Sequence, residues 1–355
     1  MSFDAIRHLT NEVAVQRTRL DVLTRQAASG KKAENLGELS PEVPRTIHLR
    51  GDIGRREAYS RVIVEAQGRA SVTQNAMGRM ESIAKEFRND VTMRINSNDP
   101  STLLTATSRA RAALSEVVSI LNTRYGNEYM FGGSDLSNPP IPNEANVING
   151  NLATQIANEI NQLGTLTADQ ITTNTRNLAA DTTAGVTIFS DFLEDPARGG
   201  GEARRSVPSS DGDTISYGIF ANRNTASQST GETSGSWARD LIRGLMSVAA
   251  LTPSQMAANP KEFDALVGRI RAGFQAAETG LADEQGVLGT MEKRMETSKA
   301  RNDALADAIK KQLSSIEEVD LAEPYTKMQT TQVNLEASYR TIARLSSLSL
   351  ANYLN

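Results

Sequence analysis

Apolar positions at both ends of the chain repeat in sevens. Leu321, Met328, Leu335 and Ile342 stand seven residues apart, with Tyr325, Tyr339 and Leu345 flanking the same stripe. At the start, Ile6, Val13, Leu20 and Ala27 keep the same interval, and Leu9 and Leu23 occupy the adjoining heptad position. A heptad holds one seam of a helix against a neighbouring helix, so the spacing predicts two amphipathic helices that pair. The same periodicity is compatible with two amphipathic helices in an ordinary globular core. Gly30 is placed where a helix C-terminus favours glycine.

The charges refine this picture. Residues 1–32 carry six bases against three acids, and residues 317–355 five acids against three bases. A basic first helix is therefore expected to meet a slightly acidic last one. Glu317, Glu318, Asp320 and Glu323 crowd the start of the last segment, where negative charge suits the helix dipole, and Glu336 with Arg340 forms an i,i+4 pair. After Arg344 no charge remains, although Leu345, Leu348, Leu350, Tyr353 and Leu354 follow. A chain end exposed to water normally frays. An apolar, uncharged end is expected to be buried, here against a partner chain. The predicted subunit-interface residues are Ile6, Val13, Leu20, Leu335, Ile342, Leu345, Leu348 and Tyr353.

Between the ends the patterning is again helical, with one interruption. Residues 31–45 hold Gly37, Pro41 and Pro44 and read as a loop. A long helix is predicted over 46–95, with Val62, Ala66, Ala70, Met77, Ile83, Ala84 and Phe87 inward and Arg55, Arg56, Arg61, Arg69 and Arg79 mostly outward. Asn98 or Asp99 caps the next helix, with Pro100 in its first turn, and this helix runs over 101–125, burying Leu103, Leu104, Leu114 and Leu121. Trp237, Leu241, Leu245 and Val248 share a face of a further helix. A long amphipathic run over 261–313 follows, from Phe263 through Phe274 and Leu288 to Leu305 and Ile309.

Residues 132–236 have a different texture, with Pro139, Pro140, Pro142, a Gly199-Gly200-Gly201 run and much Asn, Thr, Ser and Asp. A short helix is expected over 152–163, and strands at 186–189 and 214–220. Residues 222–236 are expected to form a surface loop, and the glycine run a flexible linker. The fold class is mainly α: a long helical hairpin or coiled-coil bundle made by both chain ends, with an inserted mixed or β-rich domain. Its parts are 1–31 and 315–355 (terminal coiled coil), 32–131 and 237–314 (helical bundle), and 132–236 (insert).

Composition narrows function mainly by exclusion. A net charge of -4 gives no reason to expect nucleic acid or an anionic membrane surface. Without cysteine there are no disulfides, thiolate metal sites or cysteine nucleophiles. No apolar run reaches the roughly 18 residues of a membrane span, and the charges at Arg7, Glu12, Arg17, Arg19 and Asp21 interrupt any cleavable signal peptide. His8 and His48 are far apart and read as polar surface side chains. The acids at 317–323 read as a solvated helix start rather than a metal site. Met77, Met80, Met291, Met295 and Met328 read as core packing. No nucleophile–base pair can be assembled, so no enzyme activity and no cofactor are expected.

Particular strings carry a resemblance. Tyr125-Gly-Asn-Glu-Tyr-Met-Phe-Gly-Gly133 is similar to the Asn-x-Tyr-Leu-Phe-x-Gly signature that ends the early helical region of the hook–filament junction proteins. These belong to the flagellin superfamily. The strings Val319-Asp-Leu-Ala-Glu323, Leu335-Glu-Ala-Ser-Tyr339 and Leu345-Ser-Ser-Leu-Ser-Leu-Ala-Asn-Tyr-Leu354 also resemble them. Flagellin's own Leu-Ser-Ser-Gly-x-Arg-Ile-Asn run is replaced by Ala28-Ser-Gly-Lys-Lys-Ala-Glu-Asn35. Pro324 departs from either pattern, standing where the family helix usually continues. It fits either the first turn of a new helix or a kink.

The resemblance implies a structural adaptor between hook and filament. Such a protein assembles into a ring, is exported by the flagellar type III route and is located outside the cell. Its implied partners are hook-associated protein 1, flagellin and an export chaperone, with no nucleic acid, membrane or cofactor. Flagellin itself is the alternative, and a secreted type III tip or translocator-like protein is a third.

Overall fold

The computed structural model describes residues 2–95, 99–225 and 227–353. In chain order the α-helices of six residues or more are α1 (Ser2–Ser29), α2 (Val43–Glu86), α3 (Pro100–Leu121), α4 (Asn151–Ile160), α5 (Ala168–Ala180), α6 (Trp237–Ala250), α7 (Pro253–Ala258), α8 (Pro260–Glu317) and α9 (Ala322–Tyr353). Two antiparallel hairpins complete the chain: β1 (Arg124–Tyr125) with β2 (Glu128–Tyr129), and β3 (Ser206–Ser210) with β4 (Asp213–Ser216). The protein is mainly α, with long helices from both chain halves and a small mixed insert. It divides into two compact units, one of residues 1–58 with 301–355, the other of residues 59–300.

In the first unit α1 and α9 lie antiparallel. Arg17 covers the Tyr339 ring at 5.6 Å, and the Thr24 hydroxyl reaches the Met328 sulfur at 3.8 Å, so residue numbers fall along one helix as they rise along the other. Both helices break at the same level. Gly30, at φ 70°, ends α1, and α8 stops at Glu317. The two breaks are stitched by Lys32 N–H to Glu317 O (2.7 Å) and Val319 N–H to Gly30 O (3.0 Å). Asp320 accepts from Ala322 N–H at 3.0 Å, and Pro324 sits buried in the first turn of α9. Proline there lacks only an N–H that has no helical partner anyway, so Pro324 opens a fresh helix rather than kinking an old one. Elsewhere in the unit, α2 and α8 are joined by Arg50–Glu317 (2.8 Å) and Glu57–Lys310 (2.7 Å).

In the second unit the core is built around α6. Every residue from Trp237 to Val248 is buried, Arg239, Asp240 and Arg243 included. The one-sided helix predicted from Trp237, Leu241, Leu245 and Val248 is therefore enclosed on all sides by α3, α4, α5 and α8. Gly244 makes room for this: a Cβ there would meet the Phe274 ring at 2.8 Å. The α2 helix ends in a π-helical turn over Phe87–Val91, and the Phe87 ring packs on Phe274 with centroids 5.4 Å apart. Asp99 caps α3, accepting from Ser101 N–H at 3.0 Å; Asn98, the other candidate, lies outside the described residues.

Several expectations are corrected. On α2 it is Ile63, not Val62, that is buried, and Arg69 turns inward because Glu65 and Glu128 meet its guanidinium. Leu104, Leu305, Leu321, Tyr325 and Tyr339 are exposed. The α3 helix ends at Leu121, so Tyr125 belongs to a hairpin. Residues 186–189 form turns, with no strand beside them to pair with. The glycine run is a tight turn, since a Cβ on Gly199 would meet the Phe192 ring at 2.4 Å and one on Gly201 the Pro196 carbonyl at 2.3 Å. Residues 222–225 and 227–236 are partly buried because their hydroxyls and amides serve two buried carboxylates, Glu284 and Asp240. The insert also contains α5, which no apolar pattern announced.

Candidate assembly surface

Within the α1–α9 pair the inward positions alternate by three and four. On α9 they are Pro324, Met328, Thr331, Leu335, Ser338, Ile342 and Leu345; on α1, Leu9, Val13, Gln16, Leu20, Leu23, Ala27 and Gly30. That is the spacing of a coiled-coil seam. Of the predicted interface residues, Val13 and Leu335 are buried in this seam, and Leu20, Ile342 and Leu345 are half-buried. The side chains of Ile6, Leu348 and Tyr353 lie outside the described residues. The seam is narrow and partly polar: Gln16, Thr331 and Ser338 fill positions where a dedicated coiled coil places aliphatics. Buried Thr331 turns its hydroxyl back to the Lys327 carbonyl at 2.7 Å.

A second set of side chains faces outward. Val15 is 66% exposed and Val333 62%, and Leu321, Tyr325 and Tyr339 are also open. Tyr325 and Tyr339 are two heptads apart and share a stripe beside the seam, Tyr339 under Arg17. A single exposed valine is ordinary, but here several large apolar side chains on one two-helix hairpin are left open by the described residues. Val15 and Val333 were missed because they fit no heptad position. Their signal was that very misfit, an aliphatic side chain on an otherwise polar face.

The Tyr125–Gly133 string is a structural clasp in the second unit. Gly126 (φ 61°) and Asn127 turn the β1–β2 hairpin. Glu128 on β2 binds Arg69 of α2 and, at 3.0 Å, Arg205. The Arg69 hydrogen bond holds the Glu128 carboxyl below the usual range. Arg69 also stacks on Tyr125, whose hydroxyl fills the space above Gly68, where a Cβ would come within 2.7 Å. Phe131 is wholly buried, and its carbonyl accepts from Ala221 N–H at 3.0 Å. Gly133, at φ 65°, leaves room for Glu202, which caps Ser134 N–H at 2.7 Å. The string thus ties the end of the early helices to the insert.

The acids at 317–323 serve local ends: Glu317 meets Arg50, Ser314 donates to Glu318, Asp320 caps α9 and Glu323 pairs with Lys327. His8 stands 4.0 Å from Glu12 on an exposed face. Among the described residues no cluster of three potential metal ligands occurs, and no helix is long and apolar enough to cross a membrane.

Helices from both ends of one chain pair through a narrow seam and leave several apolar side chains exposed. Comparison with known families agrees. Residues 7–135 match the bacterial flagellin N-terminal helical region, and residues 272–354 match the bacterial flagellin C-terminal helical region. Together they span more than half of the chain, which belongs to the flagellin family. No curated protein matches it. The family is a structural one whose members are exported to the flagellum and self-assemble into its polymer.

Proposed function

We propose that this protein is the junction subunit between the hook and the flagellin filament, the part played by hook-associated protein 3. The observation that carries this reading is the pairing of two flagellin-type helical ends with the Tyr125–Gly133 clasp, whose sequence resembles the junction proteins. The replacement of flagellin's Leu-Ser-Ser run at 28–35 supports it. In this reading the subunits form a ring through their terminal helices, with Ile6, Val13, Leu20, Leu335, Ile342, Leu345, Leu348 and Tyr353 at or beside the subunit contacts. The ring binds hook-associated protein 1 on one side and flagellin on the other. Before assembly, an export chaperone covers the apolar C-terminal helix during type III export. Deletion of the gene is the test. It is expected to leave hooks without filaments while flagellin escapes into the medium. Normal filaments would reject the junction role, and loss of filaments with no soluble flagellin would make the protein the filament subunit.

A further inference from the structure

The second unit contains a segment held by an unusual balance of forces. From Ser227 to Ser236 no side chain is apolar. The segment therefore gains nothing from the hydrophobic effect, the main force that holds the helices beneath it. Its attachments are polar. Ser227 donates through its N–H and its hydroxyl to Glu284 on α8, both at 3.1 Å. Ser234 donates likewise to Asp240 on α6, at 2.6 and 2.7 Å, and the Thr233 hydroxyl reaches the same carboxylate. In the reverse sense Glu232 accepts from Arg176 (3.2 Å) and Arg243 (3.3 Å).

Both body carboxylates are wholly buried. A carboxylate out of water is tolerated only while its hydrogen bonds last, and it regains hydration when they open. The fit is also incomplete. Ser236 Oγ, at the end of the segment, is buried without a hydrogen-bond partner, a cost that opening to water removes. Gly231 (φ 81°) and Gly235 (φ 93°) bracket the Glu232–Ser234 contacts and supply backbone freedom. Beneath lies α6, enclosed on all sides and independent of the segment for its apolar packing.

We propose that residues 227–235 form a releasable strap, which lifts from the second unit as a local opening while α6, from its N-cap Ser236 onward, and α8 stay folded. Few apolar contacts over a rigid base are the conditions for such sub-global opening. Release exposes the Arg176–Arg243 pair and the Trp237 end of α6.

Glutamyl endopeptidase applied to the full-length monomer, with the cut at Glu232 followed by mass, reads the opening directly. The expected result is cleavage at a rate that stays flat as urea rises below the unfolding transition, since local opening exposes little surface. Glu284→Gln, which weakens the Ser227 anchor, should speed that cut about tenfold or more while the helical circular dichroism is unchanged. Cleavage that climbs with urea in parallel with global unfolding would overturn the strap. So would an unchanged rate in a folded Glu284→Gln protein. If that variant does not fold, the wild-type urea dependence decides alone.

Discussion

At the scale of single residues, the buried charges of the second unit are its least forgiving positions. Arg239 and Glu194 are 8% and 5% exposed and meet at 2.5 Å, and Arg239 also donates to the carbonyls of Asn222 and Ala179. Removing one partner of a buried pair strands the other, so Arg239→Met is expected to cost about 3–5 kcal/mol in urea unfolding. Glu128 offers a pH test. Its folded value lies below the ordinary one because Arg69 hydrogen-bonds it, so its contribution is present above the ordinary carboxylate range and is lost as pH falls through the lowered folded value. Glu128→Gln should therefore flatten the acid limb of a stability–pH curve, and an unchanged limb would count against the clasp. None of these pairings was legible in the sequence. An arginine within an amphipathic pattern reads as outward when its partner, as with Arg69 and Glu128, stands 59 residues away.

At the scale of elements, heptad spacing was enough to find α1 and α9, and the long apolar runs to find α2 and α8, because a helix stripe is a local property. The seam's polar members, Thr331 and Ser338, were invisible because periodicity was read from apolar residues alone. The α5 helix was missed for the same reason. Its signal was the capping box of Thr167 and Gln170, where each side chain satisfies the other's backbone N–H. The expected strand at 186–189 failed because a strand needs a partner, which a four-residue apolar run does not specify. A seam with so few aliphatic layers gives little to set against backbone entropy of about 1–2 kcal/mol per residue. Amides of α1 and α9 are therefore expected to exchange faster in the monomer than those of α6, and to slow on assembly. Equal protection in the monomer would show a hairpin stable by itself. Leu335→Ala, at a buried seam position, should remove about 2–5 kcal/mol and speed that exchange further, leaving the second unit unaffected.

At the scale of the whole molecule, the central claim is that the terminal hairpin is completed by other subunits through the side chains it leaves open. The resemblance of both ends to flagellin-type helices was legible in sequence; which residues face out was not, since that depends on how α1 and α9 share their seam. The deciding measurement compares Val333→Asp with wild type, first as monomer by circular dichroism and then for restored filaments in a deletion strain. Val333 is 62% exposed, so a charge there should change monomer stability by no more than about 0.5 kcal/mol. Within a subunit contact the same carboxylate would be desolvated and unpaired, at a cost of several kcal/mol repeated in every subunit. The account predicts a folded, exported monomer that does not restore filaments. Filaments as abundant as with wild type would contradict it.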